Sequence, residues 1–196
     1  MTPSTLARRA VKAITQGLSL LIALPFAALS GFGRFAALFV VFGHLLALAP
    51  GLPGDYIRVA YYVLTLRRCS LHSRVSFGAF FAQSSAAVGR GVYIGSYSVV
   101  GACEIGERTQ IASAVQILSG RHQHPRGPDG GILGSNEEKF SPIVIGADCW
   151  IGAAAIVMAD IGPRTTIGAG AVVTRPIPAN AVAVGNPARP LDRAAQ

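Results

Sequence analysis

Four histidines, His44, His72, His122 and His124, are the side chains of this 196-residue sequence best suited to moving protons near neutral pH. His122 stands out by position. It ends the segment Ile111-Ala112-Ser113-Ala114-Val115-Gln116-Ile117-Leu118-Ser119-Gly120-Arg121-His122, and residues 121–142 then run as a polar, glycine-rich excursion. A side chain placed where a regular pattern gives way to a loop can face a cleft. There an imidazole with a pKa of about 6.5 can act as a general base, an assistance worth roughly 10²–10⁴-fold. His124, two residues on and followed by Pro125, is the alternative base, because it would share a face with His122 if a strand continued. His44 sits inside an apolar run and is expected to make a polar contact between helices. Cys69, Cys103 and Cys149 are odd in number and widely spaced, with no zinc-knuckle spacing and no disulfide framework, which favours a reducing compartment.

The rest of the chain must position that chemistry. Only 13% of residues are charged and 51% are apolar, with a mean hydropathy of +0.47. Such a composition argues against long disordered tails and a charge-rich coiled coil. The net charge of +8 is lopsided: residues 1–75 hold eight Lys/Arg against Asp55 alone, a net of +7, which leaves +1 for the remainder. A nucleic-acid binder would carry its basic excess on the folded domain with interleaved aromatics, so nucleic acid is not expected as a partner.

The basic excess flanks an apolar stretch instead. From Leu18 to Pro53 the strongly polar side chains are Arg34 and His44, and Arg34 divides the stretch into Leu18–Phe32 and Phe35–Pro50. Each arm is shorter than the roughly 20 residues that cross a bilayer comfortably. Arg8, Arg9 and Lys12 precede the stretch, and Arg58, Arg67 and Arg68 follow it. The positive-inside bias then predicts a shallow or re-entrant helical hairpin at the cytoplasmic membrane face, with a turn near Ser30–Arg34 and a kink at Pro25. Tyr56–Arg68 mixes tyrosines, arginines and aliphatics, as suits a helix at headgroup level. A signal peptide and a soluble helical pair buried against the domain or a partner subunit are the competing readings of this front.

Beyond residue 74 the sequence keeps a six-residue beat. Stepping by six from Val75 meets Phe81, Ala87, Tyr93, Val99, Ile105, Ile111 and Ile117. A second register, Val88-Gly89, Ile94-Gly95 and Val100-Gly101, merges with the first at Ile105-Gly106 through a five-residue step. The beat returns at Ile145-Gly146, Ile151-Gly152 and Val157, then at Ile161-Gly162, Ile167-Gly168 and Val173. A period of six suits no amphipathic helix, and the steps are too short for helical crossovers. It does suit a prism of short parallel strands, with an aliphatic residue toward the axis and a small residue at each corner.

This beat, the Cys149-Trp150-Ile151-Gly152 coil and the ending Val184-Gly185-Asn186-Pro187-Ala188-Arg189 resemble hexapeptide-repeat acyltransferases, most nearly the galactoside, maltose and colanic-acid O-acetyltransferases. The resemblance covers about residues 75–191. It implies a mainly β fold, a left-handed parallel β-helix over residues 71–196 with a loop at 121–142, preceded by hydrophobic helices in residues 1–70. It further implies an acetyl-CoA donor, a homotrimer with active sites between subunits, and a loop that walls the acceptor pocket.

Carried over position by position, the resemblance makes His122 the catalytic base, and Ala153, Ala169, Thr174, Arg175 and Arg189 the donor-binding residues, with no metal. Arg175 and Arg189 would pair with the phosphates of coenzyme A. Trp150 is expected to pack in the core at a prism corner. Two departures bear on the oxyanion: Ala153 stands where relatives often carry Ser, and no Asn occurs before residue 136. Backbone N–H groups must then stabilise it. The resulting expectation is acetyl-CoA-dependent O-acetylation of a sugar hydroxyl on a glycan or lipid-linked glycan, with the catalytic domain facing the cytoplasm. N-acetylation of an amino sugar is the nearest alternative. Further off stand a non-catalytic scaffold and a zinc hydratase of the γ-carbonic-anhydrase type using His72, His122 and His124.

Overall fold

The computed structural model describes residues 3–119, 126–134 and 142–191. Three helices come first: α1 (Pro3–Leu29), α2 (Ala36–Ala47) and α3 (Gly51–Thr65). The α1–α2 connection falls at the expected place. Ser30 Oγ donates to the Ala27 carbonyl at 2.9 Å and the Phe32 N–H to the same carbonyl at 2.7 Å, while Gly31, Phe32 and Gly33 adopt positive φ and reverse the chain. Gly33 is required for space as well, because a Cβ there would lie 2.2 Å from the Thr65 carbonyl oxygen. The first arm is longer than its apolar core suggested. α1 runs continuously through Pro25, and its stretch Ala7–Leu29 is long and apolar enough to cross a membrane, by length and composition.

α1 packs chiefly on α3 rather than on α2, which it meets through an edge-on contact of Phe26 with Phe42. The outer surface of this layer is apolar: Val11, Ile14, Leu18 and Leu21 on α1, Phe32 and Phe35 in the turn, and Leu38, Val41 and Leu45 on α2 are exposed.

The expectation of a headgroup-level helix near Tyr56–Arg68 is corrected. α3 packs on α1, on α2 and on the first strand of the β domain, with Arg58, Tyr61 and Tyr62 at most 1% exposed. The reason is a buried network centred on Arg58. Its guanidinium donates to the Val75, Leu46 and Ala49 carbonyls at 2.9, 3.1 and 2.6 Å and to Asp55 Oδ1 at 2.5 Å, and Arg74 holds Asp55 Oδ2 at 2.6 Å. The carbonyls at and just beyond the end of α2 thereby face a cation, the charge that a helix C-terminus favours. The Tyr62 hydroxyl accepts the Phe81 N–H at 3.2 Å, a second tie from α3 to the β domain. His44 packs edge-on against Phe80 of the β domain, with ring centroids 4.2 Å apart.

Among the described residues fifteen short strands follow, wound as a left-handed β-helix of three parallel faces. The first face stacks β1 (Arg74–Val75), β4 (Tyr93–Ile94), β7 (Gln110–Ile111), β10 (Trp150–Ile151), β12 (Thr166–Ile167) and β14 (Val182–Val184), with β15 (Arg189–Pro190) antiparallel at its end. The second stacks β2 (Phe80–Phe81), β5 (Val99–Val100), β8 (Gln116–Ile117), β11 (Ile156–Val157) and β13 (Val172–Val173). The third stacks β3 (Ala87–Val88), β6 (Cys103–Ile105) and β9 (Ile143–Ile145), continued by bridges at Ile161 and Ile177.

Each strand of the three parallel faces turns at least one buried side chain to the axis, and the strands of the third face bury two. The buried residues form three ladders, of which Val75, Ile94, Ile111, Ile151, Ile167 and Ala183 are one. Each aliphatic rung contributes roughly 1.5–3 kcal/mol by leaving water. The ladders also decide between the two six-residue registers. The inward step from Phe81 is seven residues, to Val88, and the five-residue step from Val100 to Ile105 restores the count. Tyr93 and Val99 therefore lie on the outward side.

Candidate active site

The corner between the first and second faces is a column of small residues. Gly152-Ala153-Ala154 lies directly under Gly168-Ala169-Gly170: the Gly170 N–H donates to the Ala153 carbonyl at 2.8 Å, and the Ala154 N–H to the Ser113 carbonyl one coil lower at 3.0 Å. Gly152 is there because a Cβ would stand 2.4 Å from the Ala169 nitrogen. Ala154 turns the corner at φ 57° and Gly170 at φ 68°. Ser113, Ala153 and Ala169 are all exposed, and among the described residues their N–H groups have no acceptor. The corner thus carries outward donors one coil apart, about 4.8 Å, with no side chain large enough to cover them. That arrangement can bind the carbonyls of an extended amide-bearing chain, or an oxyanion developing beside it.

The C-terminal segment closes the same edge. Val172 is bonded on both sides, its N–H to the Gly185 carbonyl at 3.0 Å and its carbonyl from the Ala188 N–H at 2.8 Å, so 185–188 lies over the coil of Ala169. Arg189 follows in β15, exposed, with Nη1 donating to the Ala188 carbonyl at 3.0 Å. Thr174 and Arg175 lie at the other end of the second face, directly after β13. Of the donor residues expected from sequence, the structure therefore groups Ala153, Ala169 and Arg189 along one edge and places Thr174 with Arg175 on the next.

His122 and His124 lie outside the described residues, as do 120–125 and 135–141 of the loop region. Its root is described. Leu118 still donates to the Val157 carbonyl at 3.0 Å, and Ser119 Oγ accepts the Ala102 N–H at 2.8 Å. The insertion therefore leaves from the corner after β8, the corner that also holds Thr174 and Arg175 two coils higher. Residues 126–134 form a tight turn in which Arg126 pairs with Ile132 and donates to the Gly130 carbonyl at 2.8 Å.

Trp150 corrects the core expectation. It is the outward residue of its rung, 56% exposed between Gln110 and Thr166 and three positions before Ala153. Register identifies it as outward, since the inward place belongs to Ile151; size alone suggested otherwise. Ser113 was missed for a different reason, because its contribution is a backbone N–H.

The thiols offer no competing nucleophile. Burial pushes Cys69 and Cys103 up to about 12 and raises Cys149, whose Sγ donates to the Gly162 carbonyl at 3.2 Å. Among the described residues no three His, Cys, Asp or Glu side chains converge in a way that would hold a metal.

Comparison with known proteins places this geometry. A solved maltose O-acetyltransferase from Clostridium difficile superposes with a TM-score of 0.64 and 25% identity, over 81% of this chain and 88% of that one. The chain is similar in fold and in sequence to hexapeptide-repeat acetyltransferases. A polysialic-acid-specific acetyltransferase, NeuO, shares the fold at a TM-score of 0.50 and 23% identity, over 62% of this chain and 58% of that one. In sequence, a Schizosaccharomyces pombe protein that carries an acetyltransferase name is 39% identical over 89 residues, 44% of this chain and 41% of that protein. Proteins of Staphylococcus aureus with acetyltransferase names are 46% identical over 54 residues, 26% of this chain and 27% of theirs. These matches span well under two thirds of the curated relatives' own length. No protein-family model matches the chain.

Proposed function

We propose that this hexapeptide-repeat protein transfers an acetyl group from acetyl-CoA to a sugar hydroxyl of a glycan or lipid-linked glycan, at the cytoplasmic face of a membrane. The observation that carries the reading is the corner of Ser113, Ala153 and Ala169, whose outward N–H groups and small side chains suit a pantetheine arm running along the coils. Arg189 at the end of that edge and Arg175 on the next are the cations available to the nucleotide phosphates. The likeness to a maltose O-acetyltransferase supports a sugar acceptor.

In the proposed step the acceptor oxygen attacks the thioester carbonyl while His122 takes its proton. The C–S bond then breaks, and the coenzyme thiolate leaves with that proton. No covalent enzyme intermediate forms, in keeping with the buried, protonated cysteines. The oxyanion is held by a corner N–H, which explains how alanine can stand at 153. A homotrimer would complete the site, with the loop of one subunit walling the acceptor pocket of the next. The exposed apolar surface of α1 and α2 supports membrane association, and the cytosolic donor places the β-helix on the same side.

Membranes carrying the protein are incubated with labelled acetyl-CoA and the labelled product is identified by mass spectrometry. A glycan or lipid-linked glycan bearing an alkali-labile ester is expected. An alkali-stable amide would establish N-acetylation instead, and no transfer to any acceptor would reject the proposal.

A further inference from the structure

Between α1 and α3, where they meet the first coil, the structure holds a groove with a gradient of polarity. One end is a cavity of about 260 Å³ walled by Lys12, Gln16, His72 and Arg74 together with Asp55. The other is an adjoining cavity of about 240 Å³ walled by Leu18, Ile22, Pro53 and Ile57. Leu52 and Tyr56 belong to both, so the two are halves of one groove.

The polar end is cationic. Asp55 is its carboxylate, but both oxygens are engaged, by Arg58 at 2.5 Å and Arg74 at 2.6 Å. Lys12 pairs with no carboxylate among the described residues. Gln16 is held in place by donating to the Leu71 carbonyl at 2.7 Å, which joins α1 to the first coil at this point. From Lys12 to Ile22 the wall runs about 15 Å along α1 at 1.5 Å per residue. Its apolar half opens on the surface through Leu18 and Ile22, 56% and 50% exposed, continuous with the apolar face of Val11, Ile14 and Leu21.

We infer that this groove binds one anionic membrane lipid, its phosphate at Lys12, His72 and Arg74 and its hydrocarbon chain along Leu18, Ile22 and Ile57. Charge complementarity selects the head, and the apolar half selects a lipid over a free phosphate ester. The lipid is an anchor rather than the acetyl acceptor. The groove lies at the first coil, whereas Ala153 is three coils farther along, about 14 Å at 4.8 Å per coil. The inference rests on the membrane-facing reading of the helices given above, and the test separates the two.

The full-length protein is released for native mass spectrometry from neutral maltoside micelles doped with phosphatidylglycerol, with phosphatidylcholine, or with added glycerol phosphate. One retained phosphatidylglycerol per chain is expected, with at least tenfold less of the other two. Lys12→Glu and Ile22→Trp should each lower that occupancy at least tenfold, while Arg8→Glu, the same charge change outside the groove, should leave it intact. Unchanged unfolding midpoints confirm that the variants fold. Equal retention of phosphatidylcholine or glycerol phosphate overturns the inference, and so does a Lys12→Glu variant that behaves like Arg8→Glu. Flotation with neutral vesicles tests the membrane reading separately. Flotation without retained phosphatidylglycerol removes the groove alone, whereas retention without flotation supports the groove and removes the membrane reading.

Discussion

The helical front and the β-helix solve the same packing problem in opposite ways. In the β-helix every coil repeats its neighbour, so stability is spread over many equivalent rungs such as Ile111, Ile151 and Ile167. The front has no repeat. Its three helices are tied to the first coil through a few groups, chiefly the buried cation Arg58, with Tyr62, Gln16 and the Asp55–Arg74 pair beside it. A repeating scaffold tolerates local change and can leave backbone donors exposed at its corners. A keyed assembly concentrates its stability in a few groups and leaves the rest of its surface free to be apolar.

Removing the key should have the largest effect. Arg58→Met leaves Asp55 half-paired and the Ala49 carbonyl without its donor, and should cost about 3–5 kcal/mol by denaturant unfolding. Arg108, whose guanidinium grips Asp148 at 2.7 Å on the solvent side, offers the contrast: Arg108→Ala should leave the midpoint unchanged. Within the β-helix, Ile151→Ala should cost about 2–5 kcal/mol, and Trp150→Ala on the outward side of the same rung less than about 1 kcal/mol. Leu21→Glu on the exposed face of α1 should leave stability within about 0.5 kcal/mol and reduce vesicle binding, read by flotation. Ala154, held at φ 57°, offers the one effect of opposite sign: Ala154→Gly should stabilise by about 0.5–1 kcal/mol in thermal unfolding.

How much of this was legible in the sequence follows from the same contrast. The β-helix could be read because its structural period is also its chemical period, one aliphatic and one small residue every six. The reading failed locally at residues 87 and 88, where both neighbours are apolar and only the pairing of Val88 with Ile105 shows which faces the axis. The α1–α2 turn was legible from Arg34 and the glycines around it. The burial of Arg58 was not, since a charged side chain reads as surface until the fold brings four backbone carbonyls and a carboxylate around it. The donor corner lay between these cases. Alanine carries no chemistry of its own, so Ala153 and Ala169 were found through family resemblance, and Ser113 emerged from geometry. Trp150 was misread because bulk was weighed above register.

The proposed reaction has the His122 imidazole activate an alcohol against a thioester bound along the Ala153–Ala169 corner. Turnover and acetyl-CoA affinity measured side by side in His122→Ala and His124→Ala test it most directly. The account predicts that His122→Ala loses at least about 10²-fold in kcat with acetyl-CoA affinity unchanged, while His124→Ala keeps most of its turnover. A His122→Ala protein that turns over at the wild-type rate would contradict it.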